Sequence, residues 1–161
     1  AEYTGQPFGE AYFEGLLRDH SAVFDSTPPI AAVMAAESID GRGLQMLGCL
    51  QTAHYVEGRR IADESVLFDV AAQMGYIQTT FVTVFKSVDP QAQVKASRAL
   101  LARLGGQGFP TLALEQDGQF TLIDISPWLG KPQAFADWLG QAVVADEPAQ
   151  SPALCDLDGC A

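Results

Sequence analysis

Sulfur is the most reactive element in this chain, and its placement limits the chemistry open to it. The 161 residues hold three cysteines, Cys49, Cys155 and Cys160. Thiol–disulfide exchange needs a thiolate, usually activated at a helix N-terminus with a resolving cysteine close by. No pair of these cysteines has Cys-x-x-Cys spacing. Cys49 stands among Met46, Leu47 and Leu50 in a run of helical period, where a small buried apolar residue is expected and a nucleophile is not. Cys155-Asp-Leu-Asp-Gly-Cys160 could close a small disulfide over the Asp158-Gly159 turn, offer two of the four ligands zinc prefers, or remain a pair of exposed thiols. The histidines, His20 and His54, lie far from it in sequence. A complete metal site is therefore not visible, and no cofactor is implied.

Two further places could carry recognition. Gly108-Phe109-Pro110-Thr111 stands at the mouth of an apolar run, where a proline starts an edge strand in the trans or the rarer cis form. His54 and Tyr55 are adjacent on a helical segment, where an aromatic pair is usually core or boundary packing. Phe8, Trp128 and Trp138 are read as packing residues only.

The elements that must position these residues follow from period and punctuation. Residues 1–10, broken by Gly5, Pro7 and Gly9, read as a loop. Tyr12, Phe13, Leu16 and Leu17 predict a short amphipathic helix from Ala11 to about His20. Asp25-Ser26-Thr27-Pro28-Pro29 is a strong helix start, with the alanine-rich helix running to about Ser38. A helix from Leu44 to Tyr55 is stopped by Gly58, and another from Asp63 to about Met74 has Asp63 as cap and Val66, Leu67, Val70 and Ala71 as its buried face. Thr79 to Phe85 is rich in β-branched residues, but the spacing of Phe81, Val82 and Phe85 favours a helix. Asp89-Pro90 opens a longer helix through Leu104, closed by Gly105-Gly106.

The period then changes. Pro110 to Glu115 and Phe120 to Ile125 read as strands joined at Asp117-Gly118, a strong hairpin signal. A last helix spans about Pro132 to Val144, and residues 145–161 read as a flexible tail. A two-stranded hairpin is marginal alone, so a further pairing of its edge is expected. Hydrophobic residues make up 48% of the chain and charged ones 18%, which excludes a disordered protein. Twenty acidic against nine basic residues leave a net charge of −11, which repels phosphate backbones and anionic lipid. Nucleic acid and membrane are not expected as partners, no secretory signal or spanning run is present, and a cytoplasmic protein is the simplest expectation, with an exported protein lacking its leader as the alternative.

Taken in order, Thr4-Gly5-Gln6-Pro7-Phe8, Asp25-Ser26-Thr27-Pro28, the run Leu50 to Gly58, Asp63 to Gly75, and Gly108-Phe109-Pro110-Thr111 before the hairpin resemble the DsbA family, in particular its FrnE-like branch of disulfide oxidoreductases. The resemblance covers about residues 3–144. It implies an α/β, thioredoxin-like fold in which 1–10 leads into a helical insertion at 11–104, and 105–144 form the C-terminal half of the thioredoxin-like domain. The family's first strand and Cys-x-x-Cys helix are expected to lie before Ala1. It also implies a cis Pro110, a substrate surface at Phe109, Pro110 and Thr111 with His54 and Tyr55 in the roof, and protein or peptide thiols and disulfides as partners. None of the chain's own cysteines is then expected to be catalytic, and the strand edge is open to homodimer formation. The alternatives are a noncatalytic thioredoxin-like binding module and a relative of the kappa-class glutathione transferases and isomerases.

Overall fold

Alanine decides how closely the long helices of this protein approach one another. In the computed structural model, which describes residues 5–144, helix α1 (Thr27–Asp40) buries Ala31, Ala32, Ala35 and Ala36. At about 3.6 residues per turn these four lie on one side of the helix. Helices α2 (Gly43–Tyr55), α3 (Glu64–Gln73), α4 (Gln78–Ser87) and α5 (Pro90–Arg103) all pack against α1. Their bulk fills the space that the alanines leave: Met46 and Leu50 from α2, Leu67 and Val70 from α3, Phe81 and Phe85 from α4. Phe68 meets Phe85 edge to face with ring centroids 5.4 Å apart, and Tyr76 lies 5.3 Å from Phe81.

Local chemistry sets the helix ends. Asp25 accepts the Thr27 N–H at 2.8 Å in front of the Pro28-Pro29 turn. The helix runs two residues beyond the expected Ser38, because Gly41 takes φ 75° and returns its N–H to the Glu37 carbonyl. The turn from α1 to α2 is tied to the loop after α3. Arg42 donates to the Asp40 carboxylate at 2.7 Å and to the Met74 carbonyl at 3.0 Å, and it lies over the Tyr76 ring. Tyr76 closes the circuit by donating its O–H to Asp40 at 2.7 Å.

Several expectations need correction. Residues 11–20 are not one amphipathic helix but a π-helical turn, Ala11–Gly15, followed by a 3₁₀ turn, Leu16–Arg18, of which only Leu16 is buried. Gly15, at φ −103° and ψ −83°, breaks the run, and Tyr12 and Phe13 pack against other rings instead of forming a helix stripe. Asp63 precedes α3, but its side chain makes no capping hydrogen bond; its carbonyl accepts the N–H groups of Val66 and Leu67. Val66 is half-buried, at the edge of the face formed by Leu67, Val70 and Ala71. Asp89, by contrast, accepts the Ala92 N–H at 2.9 Å.

Strands β1 (Leu112–Gln116) and β2 (Gln119–Ile123) form an antiparallel hairpin in which Gln116 faces Gln119 and Leu112 faces Ile123. Asp117 and Gly118 make the two-residue loop with φ 49° and 75°, the positive pair that matches strand twist. The strands are shorter than expected at both outer ends. Pro110 has no N–H to give a ladder, and Ile125 already begins the turn Ser126–Trp128. Within this range the chain divides into two compact units between Asp124 and Ile125. The second holds that turn and helix α6 (Pro132–Val144), with Trp128, Phe135 and Trp138 in mutual ring contact at 5.6–6.2 Å. Among the described residues no helix is long and apolar enough to cross a membrane. Residues 145–161, with Cys155 and Cys160, lie outside the described residues.

Replacing Ala35, which is fully buried, by leucine should lower stability by about 1–3 kcal/mol, because the added methylenes push α1 off its neighbours. Leu44, which is 81% exposed, should tolerate alanine within about 0.5 kcal/mol. Urea unfolding of the two variants measures both; equal losses would mean that the alanine face does not set the helix spacing.

Candidate functional site

The side of α1 opposite its alanines carries Ile30, Val33 and Met34, and the adjoining face of α2 carries Leu44 and Leu47, with the core residue Leu50 at its edge. Between them runs an open groove of about 1110 Å³. Val23 and Phe24 wall one end of it beside His54 and Tyr55. Both helices are thus apolar on two sides, one spent on the core and the other on the groove.

His54 stands in the last turn of α2, with Nδ1 3.3 Å from the Arg59 carbonyl. A carbonyl can only accept, so the neutral ring carries its hydrogen on Nδ1 and its lone pair on Nε2. The imidazole is packed among rings: Tyr55 at 4.8 Å, Tyr12 at 5.4 Å and Phe24 at 5.9 Å between centroids. Tyr55 also meets Phe8 at 5.3 Å, and its backbone carbonyl accepts the Gly9 N–H at 2.8 Å. Here glycine is required by space. A side chain on Gly9 would run into the Val56 carbonyl, and one on Gly58, at φ 66°, into the carbonyl of Ala11. The two backbones cross closely enough to hold the aromatic cluster against the end of α2.

A polar clamp fixes the loop that walls the groove. Asp19 accepts the hydroxyl of Ser21 at 2.7 Å and its N–H at 2.9 Å, and it pairs with the Arg60 guanidinium, which also reaches the Ser21 hydroxyl at 2.6 Å. The Ser21 hydroxyl first, and Arg60 after it, lower the Asp19 carboxyl from 3.8 to about 2. The Thr27 N–H likewise holds the Asp25 carboxyl below its ordinary value.

The expected substrate residues fall on two surfaces. His54 and Tyr55 line the groove; Phe109, Pro110 and Thr111 do not. The Phe109–Pro110 peptide bond is cis, both residues are exposed, and Thr111 donates its hydroxyl to the Gly108 carbonyl at 2.5 Å. Before them in the chain α5 closes at Gly105, with φ 70°, and Arg103 lies 5.5 Å over the Phe120 ring of β2.

Cys49 is a correction: it is exposed, not buried. Its apolar neighbours in sequence are misleading, since Met46, Leu50 and Ala53 form the buried arc of α2 and Cys49 points about 100° away from Leu50. Among the described residues no group of three or more His, Cys, Asp or Glu side chains could hold a metal ion. The sequence reading missed the groove itself and the trio of Asp19, Ser21 and Arg60. A signal for the groove existed in the apolar residues surrounding α1 on every side, while the trio spans 41 positions and leaves no local pattern.

No protein-family profile matches the sequence, and no curated protein does. Among solved structures it is similar to the cytosolic disulfide reductase DsbM from Pseudomonas aeruginosa, with 48% identity and a TM-score of 0.83 over 90% of this chain and 72% of that one. The structure of that reductase with GSH gives 46% identity and a TM-score of 0.82, over 89% of this chain and 71% of that one. A candidate protein disulfide isomerase from Nitrosomonas europaea has 27% identity and a TM-score of 0.66, over 86% of this chain and 67% of that one.

The clamp makes a pH-dependent contribution. Because the folded Asp19 titrates below its ordinary value, its stabilisation is complete above about 4 and is lost as pH falls from 3.8 through about 2. Carboxyl NMR should give a midpoint near 2 for Asp19, and Ser21→Ala should raise it toward 3.8. A midpoint unmoved by Ser21→Ala would remove the hydroxyl from the clamp.

Proposed function

The chain belongs to the DsbA-like family of thioredoxin-fold proteins, and from that premise we propose that it serves thiol–disulfide exchange on protein and peptide substrates. The observation that carries this reading is its sequence identity, over most of its length, to a disulfide reductase. The FrnE-like branch is the one its motifs resemble. On this reading residues 11–104 are the helical insertion and residues 105–144 the C-terminal half of the thioredoxin-like domain. The cytosolic description of the Pseudomonas reductase supports a cytoplasmic location, and its structure with GSH supports glutathione as a further thiol partner.

In exchange, a thiolate attacks one sulfur of a disulfide, the S–S bond breaks, and the other sulfur departs as thiolate; a second thiol then resolves the mixed disulfide. None of the cysteines of this sequence is assigned the attack. Cys49 lies in the middle of α2, away from the helix N-terminus that would favour its thiolate. The part assigned to this chain is to hold the substrate. Among the described residues β1 has β2 as its one strand neighbour, so the other edge offers backbone donors and acceptors to an extended chain arriving beside Phe109, Pro110 and Thr111. A second copy of the chain could use the same edge, which makes a homodimer the competing use of it. His54 and Tyr55 are assigned to the roof. Cys49, exposed and with no second cysteine among the described residues, favours a second reading, a thioredoxin-like module that binds without exchanging.

Amide NMR of the 161-residue chain with an added peptide disulfide tests the assignment. The shifts should concentrate at residues 109–116, and Cys49→Ala should leave both these shifts and any rate of disulfide reduction unchanged. Shifts that avoid 109–116 would reject the strand edge, and a rate that falls with Cys49→Ala would make that sulfur a participant. Binding with no exchange under any supply of thiol would favour the module.

A further inference from the structure

The groove between α1 and α2 has a charge pattern as well as an apolar floor. Asp25 lies at the end occupied by Phe24 and His54, and Glu37 lies toward the other end, where α1 turns into α2. Each uses an oxygen on a backbone N–H, Asp25 on Thr27 at 2.8 Å and Glu37 on Gly43 at 3.0 Å. Neither has a cationic partner among the described residues. Arg60 is the cation of the groove lining, and it is already paired with Asp19. The groove is therefore an apolar trough with a free negative charge near either end, on a chain whose net charge is −11.

We propose that this trough binds a polypeptide segment in which a few apolar residues lie between two basic ones. The twelve residue steps from Asp25 to Glu37, ten of them within α1, span about 18 Å at helical rise. An extended chain covers that distance in about five residues. The apolar side chains would lie over Ile30, Val33 and Leu47. A lysine or arginine at the near end would meet the Asp25 carboxylate and the ring of Phe24, which is 62% exposed and offers a cation its face. The other basic residue would meet Glu37. Glutathione fits poorly here, being too short and of the wrong charge, and a second copy of this acidic chain is repelled. The proposal rests on the proposed function in one respect: it names the sequence class of the polypeptide substrates, held at a surface other than Phe109, Pro110 and Thr111.

A fluorescent, cysteine-free peptide of the pattern Lys-Ala-Leu-Ile-Ala-Lys, with a twin carrying glutamate for lysine, separates binding from sulfur chemistry. Anisotropy with the full chain should show the lysine peptide bound and weakened by salt, and the glutamate twin much weaker. The pair Asp25→Asn and Glu37→Gln keeps both backbone hydrogen bonds and removes both charges. It should weaken the lysine peptide about five- to tenfold and flatten its salt dependence, with only a small fall in melting temperature because the amide oxygens still accept the Thr27 and Gly43 N–H groups. Leu47→Ser should weaken both peptides. Equal affinity for the twins, no measurable binding, or a groove closed by self-association that Leu47→Ser abolishes would each overturn the proposal. Because the peptides have no sulfur, loss of this binding with disulfide exchange intact would reject the trough alone, and binding without exchange under any supply of thiol would reject the oxidoreductase reading alone.

Discussion

Four side chains that end at Cβ govern the helical part of this protein. Burying an alanine contributes little by itself, yet Ala31, Ala32, Ala35 and Ala36 allow four helices to be drawn in around α1. The larger gain comes from what that closeness brings together, the packing of Phe81, Met46, Leu50 and Leu67, each at most 1% exposed. The same choice frees the opposite side of α1. A helix that met its neighbours with large residues all round would leave no room for a trough. Here the spacing on one face and the recess on the other are set by one sequence, Ile-Ala-Ala-Val-Met-Ala-Ala.

The groove's outer wall depends on polar chemistry. Two backbone crossings without room for a Cβ hold the N-terminal segment to the end of α2, and an aspartate, a serine and an arginine fasten the loop that follows. The aromatic rings of Tyr12, Phe24 and Tyr55 then surround His54, with Phe8 packed against Tyr12 and Tyr55. Surface ion pairs of this kind stabilise weakly. Their effect here is on position, since they decide where Val23 and Phe24 stand.

Much of this was legible because local signals agreed with each other. Pro28-Pro29 after Asp25, Pro90 after Asp89, and Asp117-Gly118 between apolar runs each fix a backbone conformation whatever surrounds them, and each appears where it was read. The α4 segment was the harder case, its threonines and valines favouring a strand, and burial of Phe81 and Phe85 decided for helix. The ordered motifs also sufficed to identify the DsbA-like family. What the sequence hid was phase and distance. Cys49 looks buried by its neighbours and is exposed by its angle. Asp63 has the right type for a cap, but its carboxylate makes no capping bond. Residues 11–18 have helical spacing, yet Tyr12 packs on the distant rings of His54 and Tyr55. The groove joins faces that no linear pattern connects.

Arg42 shows how little freedom one of these junctions allows. Its planar group meets a carboxylate through two nitrogens, a carbonyl through the third, and an aromatic face through its plane. An ammonium is a compact point charge with no plane to stack and no fork to span two acceptors. At this corner shape matters as much as sign, so lysine, the closest substitute by charge, would surrender most of what joins the start of α2 to the loop after α3.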